Sequence, residues 1–160
     1  MGKMNLDQDI HYVPLVDYVQ KVSGSSSTPC INMKLYEKVE FYIKCEALAT
    51  ADFTVTVVQS TATTATSTAT VNAHYRISAA GGTDSMGDVV AIVAATGFDI
   101  LNTNDNKTYI VSVESQELTT ADKPYLGLTF TDPGTADAYV TIWAMCWPKY
   151  PKETNANALT

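Results

Sequence analysis

Val39-Glu40-Phe41-Tyr42-Ile43-Lys44-Cys45-Glu46-Ala47 puts an apolar residue at every second position, with Glu40, Lys44 and Glu46 on the other side. Successive side chains of a strand point to opposite faces, so this alternation predicts a strand with one dry and one wet face. Phe53–Val57 repeats it with threonines outside, and Tyr109–Val113 alternates again. Tyr125–Phe130 aligns Leu126, Leu128 and Phe130 before the turn Asp132-Pro133-Gly134, and a last strand spans Ala138–Trp147. Val71–Ser78 is a further candidate, broken by Gly81-Gly82, and Val89–Ala95 is a nearly continuous apolar run that predicts a strand buried on both sides. No segment of ten or more residues carries a helical period, so helix is limited to a turn or two near 94–102. Seven or eight short strands between turn signals predict an all-β antiparallel sandwich or jelly roll.

The ends read differently. Residues 1–30 show no sustained period, and Pro14 interrupts the apolar stretch His11–Val19; a residue that cannot donate to a ladder leaves an extended arm or an edge strand. Gly24–Pro29 follows as a flexible connection. The expected organisation is therefore an N-terminal arm over 1–30, a sandwich over 31–148 and a polar tail over 149–160. Between Ser60 and Thr70 the chain is built from Ser, Thr and Ala alone, which predicts a loop.

Charge excludes several roles. Only 17% of the 160 residues are charged, the formal net charge is −7, and Arg76 is the sole arginine. Nucleic-acid backbones and anionic membranes both require clustered Lys or Arg, whereas the lysines here are scattered, so no nucleic-acid or membrane partner is expected. There is no bilayer-length apolar run and no signal-like N-terminus, and Asn5-Leu6 does not complete a myristoylation signal after Gly2, which predicts a cytosolic chain. Cys30, Cys45 and Cys146, an odd number at wide spacing, are expected to be buried thiols, with a Cys45–Cys146 bridge left open should those strands be neighbours.

The final strand is the most informative segment. Ala138, Val140, Ile142, Ala144 and Cys146 form one row; Tyr139, Thr141, Trp143, Met145 and Trp147 form the other, which is also mostly apolar. Each buried aromatic removes roughly 150–250 Å² from water, so the second row calls for a cover. Either the N-terminal arm lies across these rings or a partner subunit does, since Trp, Tyr and Met are enriched at contact surfaces. The candidate interface comprises Tyr139, Trp143, Met145, Trp147 and Tyr150, with Tyr12, Leu15, Val16 and Tyr18 from the arm.

Other constellations are weaker. His74 and Arg76 share the wet face of one strand; such a pair can hold a carboxylate or phosphate but is ordinarily just solvated. His11 has no second histidine at metal-ligand spacing. Asn102-Thr103-Asn104-Asp105-Asn106 lacks the glycine and terminal glutamate of a calcium loop and reads as a polar hairpin loop. No nucleophile motif, glycine-rich phosphate loop or carboxylate pair stands out, so neither catalysis nor a cofactor or metal is expected.

The order of features resembles a known group. An arm leads into Met33–Ile43, then come Thr54-Val55-Thr56-Val57, a small-residue loop, the Tyr75-Arg76 strand, Tyr109–Glu114 and a closing Val140-Thr141-Ile142-Trp143-Ala144. Over about 30–147 this is similar to small virion proteins of tailed bacteriophages that act as head decoration, or cement, proteins. The resemblance implies a sandwich or jelly-roll body that forms dimers or trimers. It would bind the major capsid protein on the outer surface of a head assembled in the host cytoplasm, and the group supplies no catalytic residues. A tail, neck or baseplate component is the nearest alternative. A carbohydrate-binding module, using Trp143 and Trp147 as a stacking platform, is the alternative from another class, and an enzyme is the third.

Overall fold

The computed structural model describes residues 10–21, 25–46, 48–50, 52–134, 138–150 and 158–159, with only the backbone given for 17–21. Among the described residues, twelve strands run in chain order: β1 His11–Lys21, β2 Ser26–Ser27, β3 Ile31–Asn32, β4 Tyr36–Cys45, β5 Phe53–Ser60, β6 Ala69–Thr70, β7 Ala73–Ile77, β8 Val90–Ile92, β9 Phe98–Ile100, β10 Thr108–Glu114, β11 Tyr125–Phe130 and β12 Ala138–Pro148. Every pairing is antiparallel.

One sheet has the order β1-β12-β4-β10-β7-β8; in the other, β11 and β5 lie side by side, flanked by β2 and β3 on one edge and by β6 and β9 on the other. With β2, β6, β7 and β8 set aside as strands added at the sheet edges, the remaining β1, β3, β4, β5, β9, β10, β11 and β12 can be taken as first to eighth. The sheets then read first-eighth-third-sixth and second-seventh-fourth-fifth. The chain crosses between sheets at almost every connection, as in a jelly roll. Of the two architectures expected, the sandwich is thus of this second kind.

The dry rows meet between the sheets. Val39, Phe41, Ile43 and Cys45 of β4 pack with Tyr109, Val111 and Val113 of β10 and with Val140, Ile142, Ala144 and Cys146 of β12. Phe53, Val55 and Val57 of β5 and Leu126, Leu128 and Phe130 of β11 face them. Each such aliphatic or aromatic side chain contributes about 1.5–3 kcal/mol on burial, which fixes the register, since a one-residue slip would turn every row outward.

Several expectations need correction. Val89–Ala95 is not a strand buried on both sides: β8 is a three-residue strand at the sheet margin, where only Ile92 reaches the core and Val89, Val90 and Val93 stay exposed. Within 94–102, the only stretch left open to a helical turn, residues 98–100 form β9 and pair with β5; 3-10 turns occur at Asn102–Asn104 and Ser115–Glu117. The Asn102–Asn106 segment is no hairpin loop, because β9 and β10 belong to different sheets. There Asp105 accepts the Leu48 amide at 2.8 Å and Lys44 Nζ donates to the Asn106 carbonyl.

The proposed Cys45–Cys146 bridge is excluded by register. β4 and β12 are neighbours, but Cys45 lies opposite Val140 and Cys146 opposite Val39, about 20 Å apart along the strands. All three thiols are free and buried, and burial pushes Cys30 up to about 11 and Cys45 and Cys146 up to about 12.

Two segments that looked loose are tied down. In the Ser/Thr/Ala loop, Ser60 Oγ lies 2.8 Å from the carbonyl oxygens of both Thr64 and Thr66, while the Cys30 amide donates to the Thr63 carbonyl at 2.7 Å. Near the C-terminus, Ala158 is buried in the core and its carbonyl accepts the Asn32 amide. Among the described residues no helix is long and apolar enough to cross a membrane.

Candidate functional site

The N-terminal segment decides what the outward row of β12 meets. Residues 11–21 do not lie across the rings; they pair beside them as edge strand β1, with Tyr12 opposite Met145 and Pro14 opposite Trp143. Pro14 fits because an edge strand needs no donor on its free side, and the register shifts between Pro14 and Val16. His11 Nδ1 lies 2.6 Å from the hydroxyl of buried Tyr36, which fastens the start of β1 to β4; burial lowers the pKa of His11 and raises that of Tyr36 to about 12.

The sheet order places β12 between β1 and β4, and an aromatic band crosses all three. Trp143 stacks on Tyr42 of β4 with centroids 5.6 Å apart and planes 7° apart, and on Tyr12 of β1 at 6.5 Å and 28°. Met145 lies between Tyr12 and Glu40 in the next row. Trp147 carries Lys38 Nζ over its ring at 5.1 Å, a cation–π contact. Tyr139, Trp143, Met145 and Trp147 are half-buried, whereas Tyr12 is 56% and Tyr150 72% exposed.

Polar groups order this band from its inner side. Glu40 accepts from Lys38 at 2.7 Å through one oxygen and from the Tyr42 hydroxyl at 3.1 Å through the other. Burial, then the Glu40 charge and hydrogen bond, raise the Tyr42 phenol to about 12, so it stays a neutral donor. Tyr42 is therefore held upright, as a wall against which Trp143 rests.

Beyond β4 the same outer face changes character. Ile110 lies between Tyr42 and Arg76, and Ser112 between Glu40 and His74, so each aromatic row runs on into a polar one across β10 and β7. Here the face hollows into an open cleft of about 550 Å³, walled on one side by Met86 and Val89. Among the described residues, no group of three or more His, Cys, Asp or Glu converges as a metal site.

The structure brings together Tyr12, Trp143 and Met145, with Trp147 and Tyr139 further along the same strand. It does not bring in Leu15, which is buried in the core, or Val16, which packs against the core from its margin. Both were placed at the interface as part of the N-terminal arm; once the arm is a strand, alternation turns Leu15 inward. The side chain of Tyr18 lies outside the described residues. Sequence reading missed Tyr42, although it occupies a wet-face position between Glu40 and Lys44, and an aromatic there was itself the signal.

No protein-family model matches the chain, and no curated protein sequence matches it. Among solved structures, it overlaps a chain from Bacillus endospore appendages, described as disulfide-linked pili, with a TM-score of 0.38 at 12% identity over 92% of this chain and 96% of that one. The CBM22-1–GH10 modules of a Clostridium thermocellum xylanase give 0.29 at 12% identity, over 96% of this chain but 28% of that one. Desmodium yellow mottle tymovirus gives 0.27 at 10% identity, over 91% and 89%. At these scores the functional reading rests on the chain's own geometry.

Proposed function

We propose that this protein is a structural virion component that docks on the outer surface of a bacteriophage head through the outer face of the β1-β12-β4 sheet, acting as a cement protein. The observation that carries the reading is the aromatic band Tyr12–Trp143–Tyr42, with Met145 beside it, standing on a wet sheet face. Rigid aromatic rings give large contact area at low entropic cost. Self-association as a dimer or trimer would let one particle touch several capsomers, so that later contacts become intramolecular and weak individual ones suffice. Jelly rolls also occur in viral shells, which is a fold-level analogy only.

The same geometry weighs against Trp143 and Trp147 as a sugar platform. Tyr12 and Tyr42 flank Trp143 from opposite strands, and Lys38 covers Trp147, whereas a pyranose needs an open ring face. Co-sedimentation with empty heads built from the cognate major capsid protein, and quantification of the chain in purified virions, test the proposal. Saturable binding and tens to hundreds of copies per particle are expected; absence from virions together with no binding to heads would reject it.

A further inference from the structure

The cleft at the far end of the same face holds the chain's only arginine, and its charges can be accounted for one by one. Lys38 is neutralised by Glu40 at 2.7 Å, and Glu40 is also held by Tyr42. His74 Nδ1 lies 3.7 Å from Glu117 Oε1. Arg76, exposed on β7 opposite Ile110, makes no ion pair among the described residues. Ser112 and Val89, the latter 52% exposed, line the same cleft. A lone guanidinium on a floor of Ile110, beside an unburied valine, forms a small amphipathic recess.

We infer that this recess receives the carboxylate of an acidic side chain on the protein partner, with Arg76 as its bidentate donor and Val89 packing against the side chain's methylenes. Guanidinium and carboxylate match in geometry and in charge, one against one. A phosphate, with close to two charges, would be left half-neutralised by the single guanidinium. Because the recess continues the rows that carry Trp143 and Met145, one partner surface can cover both. This inference rests on that face being the docking face, and it adds the chemistry that sets orientation there.

The test uses the intact chain and N-acetylglutamate N-methylamide as the probe, followed by two-dimensional NMR at low salt. Saturable shifts at the amides of His74, Arg76, Ile110 and Ser112 are expected, lost in Arg76→Gln and weakened several-fold in Arg76→Lys, which keeps the charge but not the fork. Wild-type spectra that do not respond, or an Arg76→Gln variant that responds equally, would overturn the inference. Inorganic phosphate serves as the competing anion: tighter saturation of the same amides by phosphate would overturn the carboxylate assignment. On heads, Arg76→Gln should weaken binding about tenfold. Wild-type affinity of Arg76→Gln for heads would sink the inference while leaving the aromatic docking face intact, so the two claims can fail separately.

Discussion

Removing Tyr12 separates what the aromatic band does for the fold from what it does for a partner. Tyr12 is 56% exposed and has one described ring contact, the 6.5 Å stack on Trp143. A tyrosine removes roughly 200 Å² from water when fully covered, so about 110 Å² remains for a partner to bury. At about 25 cal/mol per Å² that is close to 2.8 kcal/mol, and ordering the side chain returns about 0.5–1.5 of it. Tyr12→Ala should therefore weaken docking by about 2 kcal/mol, roughly thirtyfold in Kd. The loss to the monomer is smaller, about 1 kcal/mol for one stack and partial burial, or some 2–4 °C in Tm. Trp143→Ala behaves differently. With a partner ring on each side, half-burial implies about half the 3–5 kcal/mol of a buried aromatic, so both stability and docking should fall. Differential scanning calorimetry and co-sedimentation with empty heads measure the two quantities. If Tyr12→Ala bound heads like the wild type, the rings would belong to the fold alone and the docking argument would be refuted.

Further outcomes follow from the fold. Gly97 has φ of +69°, and a Cβ there would sit 2.3 Å from the Val55 carbonyl oxygen; Gly97→Ala should cost roughly 2–4 kcal/mol, seen as a fall in Tm of about 5–15 °C. Because burial lowers the His11 pKa, the unfolded chain binds its proton more readily. This contribution makes stability fall as pH drops through 6.5, the unfolded value, and level off below the folded pKa; urea titrations at pH 7 and 5 should show the loss, reduced in His11→Asn. All three thiols should resist a disulfide reagent in the native protein at pH 8 and react together on unfolding, because their values of about 11 to 12 leave almost no thiolate.

The one-sided strands were legible because alternation reports which face is dry without reference to any neighbour. β4, β5, β10, β11 and β12 lie where their apolar rows predict. Strands whose pattern is set by position in the sheet were not. The valines of β8 look like a buried strand, but a run of apolar residues does not say whether a second sheet extends far enough to cover it. For β1, Pro14 left an extended arm and an edge strand both open, and the pairing with β12 makes it the edge strand. Neither the neighbourhood of the strands that carry Cys45 and Cys146 nor their register could be read from the pattern, and register alone keeps the two thiols apart. The candidate face divides the same way. Its β12 row stood out as a strand apolar on both sides, whereas Tyr12 and Tyr42 become its flanks only through a strand order that brings residues 12 and 42 to either side of residue 143.

Hydroxyl-radical footprinting of the chain, free and bound to empty heads, bears most directly on whether the outer face of β1-β12-β4 is the surface that meets the capsid. Met145, Tyr12 and Trp147 react readily when solvent reaches them, and bound protein should show their oxidation rates cut several-fold while Leu101, exposed on a loop between the sheets, keeps its own. Unchanged rates at Tyr12 and Met145 in protein demonstrably bound to heads would place the contact elsewhere and contradict the account.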